Sequence, residues 1–167
     1  KCQLYADAAA MKWSKLITNL PVNASSAILN FSPTEILADP NLFQIEIAQV
    51  REALNVLRAL KHPVVNLPGT PVRLLAIAVR WLPLWLAQPL LKRKIGGGRG
   101  GKMPSFHIDL YSRRERSEVI FLNGAVVKYG QECGVGTPVN RFLTDTLMAL
   151  TSGELPLEEY AGRPEKL

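Results

Sequence analysis

The strongest constraint on the fold is the run from Asp39-Pro40 to Leu60, in which Phe43, Ile47, Val50, Leu54 and Leu57 recur at helical spacing. Proline is favoured at a first helical position, so Asp39-Pro40 predicts the start, and His62-Pro63 predicts the end. A helix of about five turns with one apolar face has to pack against other elements. Its opposite face carries Gln49, Arg51, Glu52, Asn55 and Arg58. Thr137-Pro138 reads the same way, as an N-cap and first residue of a helix running to about Leu150. Helix signals dominate the chain, which predicts an all-α fold, a bundle of roughly six to eight helices.

At 167 residues and 47% hydrophobic, the chain can bury a sizeable core, and nothing in it marks a second one. A single domain over 1–167 is expected, with the polar stretch 151–167, which holds Gly153, Pro156, Gly162 and Pro164, fraying at the end. The first residue is Lys1, and the helix-favouring Ala8 to Met11 follow closely, so the start reads as a cut between domains and not as a signal peptide. Cys2 and Cys133 have no metal-type spacing to His62 and His107, which predicts no metal site and a reducing, cytoplasmic setting. Residues 72–91 are strongly apolar and include Trp81 and Trp85. Arg73, Arg80, Pro83 and Pro89 break up any run of the roughly eighteen to twenty residues that a membrane span needs. No membrane association is expected; the segment reads as a pair of short helices. Trp81, Leu82 and Trp85 are then available for a subunit contact, as in a homodimer.

The net charge of +6 is densest from Lys92-Arg93-Lys94 to Arg99 and Lys102, where five glycines interrupt it and no aromatic residue is interleaved for base stacking. That argues against a nucleic-acid partner, whereas an anionic substrate or the phosphates of a dinucleotide would use the same charge. Gly96 to Lys102 satisfies G-x-x-x-x-G-K, but Met103 stands where a magnesium-binding Ser or Thr belongs, and no strand precedes it. The stretch reads as a basic loop leading to Ser105, placed to close over an anionic ligand.

Lys15, Asn19 and Asn23 recur every four residues in Trp13-Ser14-Lys15-Leu16-Ile17-Thr18-Asn19-Leu20-Pro21-Val22-Asn23, so on a helix they stack into one polar ridge. Such a ridge is either a solvated face or a site for a small anionic or carbonyl-bearing ligand. Pro21 removes an amide donor inside the ridge and is expected to kink the helix. Val119 to Tyr129, read alone, is a hairpin turning at Asn123-Gly124.

The segment W-S-K-L-I-T-N-L-P-V-N resembles the W-x-K-L-x-x-N-x-x-x-N motif that opens the C-terminal domain of ketopantoate reductases (2-dehydropantoate 2-reductases). Pro104-Ser105-Phe106-His107-Ile108-Asp109, Ser117-Glu118-Val119 and Leu122-Asn123-Gly124 are similar to that family's S-S-M-x-x-D, T-E-I and I-N-G elements. Gly134-Val135-Gly136-Thr137-Pro138-Val139-Asn140 resembles its G-V-x-T-P-x-N turn. Together they cover residues 10 to 150. The long apolar segment 72–91 is similar to an extended subfamily.

The resemblance implies the helical C-terminal domain of 6-phosphogluconate dehydrogenase-like reductases, with Val119 to Tyr129 helical. It implies a partner too: an N-terminal Rossmann domain that binds NADPH, with the active site in the cleft between the domains. No G-x-G-x-x-G after a strand is present in these residues. The reaction implied is reduction of a 2-keto acid, as in ketopantoate to pantoate in pantothenate biosynthesis. Lys15 is then the general acid, Asn19, Asn23 and Ser105 bind substrate, and Glu118 serves both catalysis and cofactor. A lysine gives up its proton more readily when partly buried between helices, which is the environment expected of Lys15. The chain alone is expected to be inactive. A non-catalytic binding or dimerisation module of the same fold is the alternative. Three departures leave the identity of the acid open: Pro21 within the ridge, Pro33 where a further substrate asparagine belongs, and an Asp109 to Glu118 interval one residue longer than the family's.

Overall fold

The computed structural model describes residues 5–89, 102–112 and 117–167. Every regular element among them is helical, apart from one isolated bridge between Leu67 and Thr70. Asp7 caps α1 (Ala8–Asn19) by accepting the Ala10 N–H at 2.9 Å. α2 (Asn23–Leu29) follows at once, and α3 (Pro33–Ala38) opens with a capping box between Ser32 and Glu35. α4 (Pro40–Ala59) starts at the predicted proline, with Asp39 accepting from Asn41 and Leu42. α5 is Val72–Trp81 and α6 is Ser105–Tyr111. A 3₁₀ turn, Glu118–Phe121, leads into α7 (Asn123–Glu132), and α8 is Pro138–Ser152.

The apolar residues form two clusters. The first joins Trp13 and Ile17 of α1 to Phe43, Ile47, Val50, Leu54 and Leu57 of α4 and to Val72 and Val79 of α5. The second joins Ala24, Ala27 and Ile28 of α2 to Phe106 and Leu110 of α6 and to Leu143, Leu147 and Leu150 of α8. The short passage from α1 to α2 therefore crosses from one core to the other.

That passage is a break, where a kink was expected. Pro21 has no N–H to continue the helical ladder, and Val22 takes φ +60°, a left-handed conformation that costs a β-branched residue about 1–3 kcal/mol. Val119 to Tyr129 is helical and not a hairpin, but it comes in two pieces: Leu122, at φ −108° and ψ −86°, separates the 3₁₀ turn from α7. α7 ends in a Schellman arrangement. Gly134 sits at φ +70°, its N–H donates to Gln131 O, and Val135 N–H donates to Gly130 O.

Leu155, Leu157, Tyr160 and Leu167 pack on the second core, and Gly162 N–H donates to Leu29 O at 2.8 Å. Lys166 pairs with Glu159. Trp81 and Trp85 are 78% and 72% exposed, and Leu74 and Ile77 of α5 are exposed as well. Among the described residues no helix is long and apolar enough to cross a membrane. The Gly96–Gly101 stretch and Lys92 to Lys94 lie outside the described residues.

Candidate active site

One face of α1, formed by Lys12, Lys15, Leu16 and Asn19, walls a groove whose other side is Phe121, Leu122, Ala125 and Tyr129. Its volume is about 540 Å³, within the range of small-molecule sites. The wall is fixed by packing: Trp13, one position along from Lys12, meets the Tyr129 ring edge-on at 5.6 Å. Lys128 lies over the same ring at 5.6 Å. Lys15 is exposed, so the partial burial expected of it is not found among the described residues.

Asn23 is the first residue of α2 and 5% exposed. Its Oδ1 accepts the Phe106 N–H at 3.2 Å, satisfying one of the amides that α6 leaves free at its N-terminus, where Pro104 offers no side-chain cap. Its Nδ2 donates, at the 3.5 Å limit of hydrogen bonding, to Asn19 O and to Ser105 Oγ. The structure thus brings Asn19, Asn23 and Ser105 together, and Asn19 joins them to the groove that holds Lys15. They do not form a single helical ridge, because α1 ends before Asn23. Glu118 is exposed at the start of the 3₁₀ turn, one turn before Phe121 and outside the groove lining. Nearby, Asn30 Oδ1 accepts from His107 Nε2–H at 2.7 Å, and the His107 ring stacks on Tyr111. Burial lowers the His107 pKa.

Beneath the site runs a buried polar seam that periodicity misassigned. Gln49 and Glu52, placed on the face opposite the apolar one, are buried, as is Glu46. Glu52 accepts from the Val139 and Asn140 N–H groups at 2.9 Å and from Asn140 Nδ2 at 2.6 Å. It supplies the α8 cap expected of Thr137, whose own side chain makes none. Asn123 Nδ2 donates to Gln49 Oε1 and to Asn140 Oδ1, both at 3.0 Å. The asparagines of L-N-G and T-P-V-N therefore brace the bundle.

Glu46 was missed altogether. It is 2% exposed, and its carboxylate accepts from Val22 N–H at 2.6 Å, Ser25 Oγ–H at 2.5 Å and Gln49 Nε2–H at 2.5 Å. Burial pushes the carboxyl up to about 7, against the downward pull of those three bonds. A signal was present: Glu46, Gln49 and Glu52 fall at intervals of three between core residues, a polar stripe inside an apolar face.

Residues 7–151 match the family described as the ketopantoate reductase PanE/ApbA C terminal. The chain is 28% identical over 152 residues to a 2-dehydropantoate 2-reductase of Pyrobaculum aerophilum, covering 91% of this chain and 47% of that protein. A 2-dehydropantoate 2-reductase of Archaeoglobus fulgidus is 26% identical over 141 residues, covering 84% and 40%. The chain thus spans less than half the length of these curated relatives. Among solved structures, a PanE/ApbA family ketopantoate reductase from Ralstonia eutropha JMP134 shares the fold at TM-score 0.69 and 22% identity, over 90% of this chain and 43% of that one. A D-mandelate dehydrogenase, solved with NADH and anilino(oxo)acetate, shares it at TM-score 0.67 and 19% identity, over 90% and 73%. With a family match across residues 7–151 and helical elements among the described residues, this chain belongs to the ketopantoate reductase C-terminal domain family.

Proposed function

We propose that this domain supplies the proton donor and the substrate-binding groups of an NADPH-dependent reductase of 2-keto acids, acting with an N-terminal Rossmann domain. The observation that carries the reading is the Asn23 amide, which lies between Asn19 O and Ser105 Oγ and so unites motifs 82 residues apart beside the groove of Lys15.

The described residues hold no strand leading through a glycine turn into a helix, so they do not form a phosphate cradle for a dinucleotide. What they do fit is one edge of a nicotinamide site, with the exposed carboxylate of Glu118 a turn away from the groove wall. The bound cofactor supplies hydride to the carbonyl carbon. Negative charge then grows on the carbonyl oxygen, and the Lys15 ammonium on the groove wall meets it with a proton. The Ser105 hydroxyl donates to the substrate carboxylate. Asn23, its Oδ1 already committed to Phe106 N–H, offers only Nδ2 to the same side. The exposed apolar residues Leu74, Ile77, Trp81 and Trp85 are available to a second copy in a homodimer.

The test is oxidation of NADPH by the full-length protein in the presence of ketopantoate and other 2-keto acids. Turnover by the full-length protein and none by this domain alone is the expected result. No turnover with any 2-keto acid, from a folded full-length protein that binds NADPH, defeats the reading and leaves a non-catalytic module.

A further inference from the structure

We propose that Glu46 is a positioning residue: by accepting the Val22 N–H it holds the left-handed turn between α1 and α2, and so sets where Asn23 stands toward Asn19 and Ser105. The proposal rests on the reading that these three residues meet a 2-keto acid. Asn23 N–H donates back to Leu20 O, so the change of direction is made within Pro21 and Val22. Pro21 has no amide to anchor. Val22 has one, and it goes to Glu46 Oε2.

A fully buried valine at φ +60° has to be held there, since the left-handed region is unfavourable for a β-branched side chain. Released, it relaxes toward negative φ and swings the first turn of α2, where Asn23 sits. The same carboxylate also takes the Ser25 hydroxyl, gripping α2 on both sides of Asn23. Gln49 joins the brace to Asn123 of α7. A buried carboxylate whose bonding partners are an amide, a hydroxyl and a carboxamide is a poor device for stability alone, since an apolar side chain of similar size would serve there without desolvation. What the carboxylate adds is a fixed backbone.

The experiment follows the Asn23 side-chain amide by ¹H–¹⁵N NMR and the KM for ketopantoate in the full-length protein. Glu46→Leu removes the acceptor; Glu46→Gln keeps one. Glu46→Leu should displace the Asn23 signals and raise KM about tenfold with kcat changed much less. Adding Val22→Gly, which adopts the left-handed conformation freely, should restore both. Glu46→Gln should likewise keep KM within about threefold of the parent. If the leucine variant does not fold, Glu46→Asp, a methylene short of Val22, takes its place in the comparison. Asn23 signals that do not move, or that Val22→Gly fails to restore, overturn the proposal. Signals that move and recover while KM stays constant leave the positioning intact and instead refute substrate binding by Asn23.

Discussion

The groove beside α1 and the seam beneath it draw on the same kinds of side chain, carboxylates, amides and hydroxyls, with opposite consequences. On the groove side Lys15 lines the groove and is exposed, and Ser105 and Glu118, outside its lining, are exposed too, so their donors and charges remain open to solvent. In the seam Glu46, Gln49, Glu52, Asn123 and Asn140 are buried, and their carboxylates and side-chain amides bond to the chain itself, Asn123 Oδ1 excepted. Removing a groove residue should cost chemistry and leave the fold. Removing a seam residue should cost the fold first.

The largest effect tests the groove side. If Lys15 is the proposed proton donor, Lys15→Ala in the full-length protein is expected to lower kcat by about a hundredfold to ten-thousandfold, the scale of a general acid. Because Lys15 is exposed, the melting temperature should stay within the small range typical of surface substitutions. A kcat near the parent value at saturating NADPH and 2-keto acid removes Lys15 as the donor. A large loss of thermal stability instead places it with the seam.

Glu52→Ala should do the reverse. It strips three donors of their acceptor at the start of α8, two of them backbone amides with no other helical partner. Each unsatisfied buried donor costs about 1–3 kcal/mol, so a loss of several kcal/mol is expected in urea unfolding. A loss below 1 kcal/mol would show that α8 keeps its N-terminus without help from α4.

Glu46 separates the two regions by pH. Its carboxyl is raised by burial from 4.5 to about 7, so the native state holds a proton that the unfolded chain has already released. Stability should therefore fall as pH rises from about 4.5 to about 7 and level off above, by on the order of 3 kcal/mol in this one contribution. Glu46→Gln removes the titrating group while keeping an acceptor, so it should flatten that slope and be the more stable form at pH 8. The same slope in both proteins, measured by denaturant unfolding across the window, assigns the pH dependence elsewhere.

How far the sequence carried these regions follows from what periodicity records. Spacing located α4 within a residue or two at either end, since Asp39-Pro40 and the i, i+3, i+4 pattern act locally. The ridge singled out Asn19 and Asn23 and the family resemblance added Ser105, and the fold gathers the three. Gln49 and Glu52 were placed on the face of α4 opposite its apolar one, and Glu46 was passed over, because the partners of these side chains lie far off in sequence. Val22 and Ser25 are 24 and 21 residues from Glu46, and Asn140 is 88 from Glu52. Local pattern carries no trace of such partners. Pro21 announced an interruption near Val22 but not a left-handed turn, whose amide bonds to Glu46, 24 residues away, and no local signal placed the break at Leu122.

The smallest expected effect is the sharpest on where the groove ends and the seam begins. Ser105 is exposed, yet its hydroxyl meets Asn23 Nδ2 at only 3.5 Å, too long to contribute much to the fold. Ser105→Ala should therefore leave stability within about 0.5 kcal/mol of the parent. If the hydroxyl holds the substrate carboxylate, that bond exists in ground and transition states alike, so KM should rise by a modest factor, about threefold to thirtyfold, with kcat little changed. A fall in kcat at constant KM would mean that the serine acts on the reacting carbonyl. A fall in stability would mean that its contact with Asn23 braces α6 against α2, and the border of the groove would then lie at Asn19.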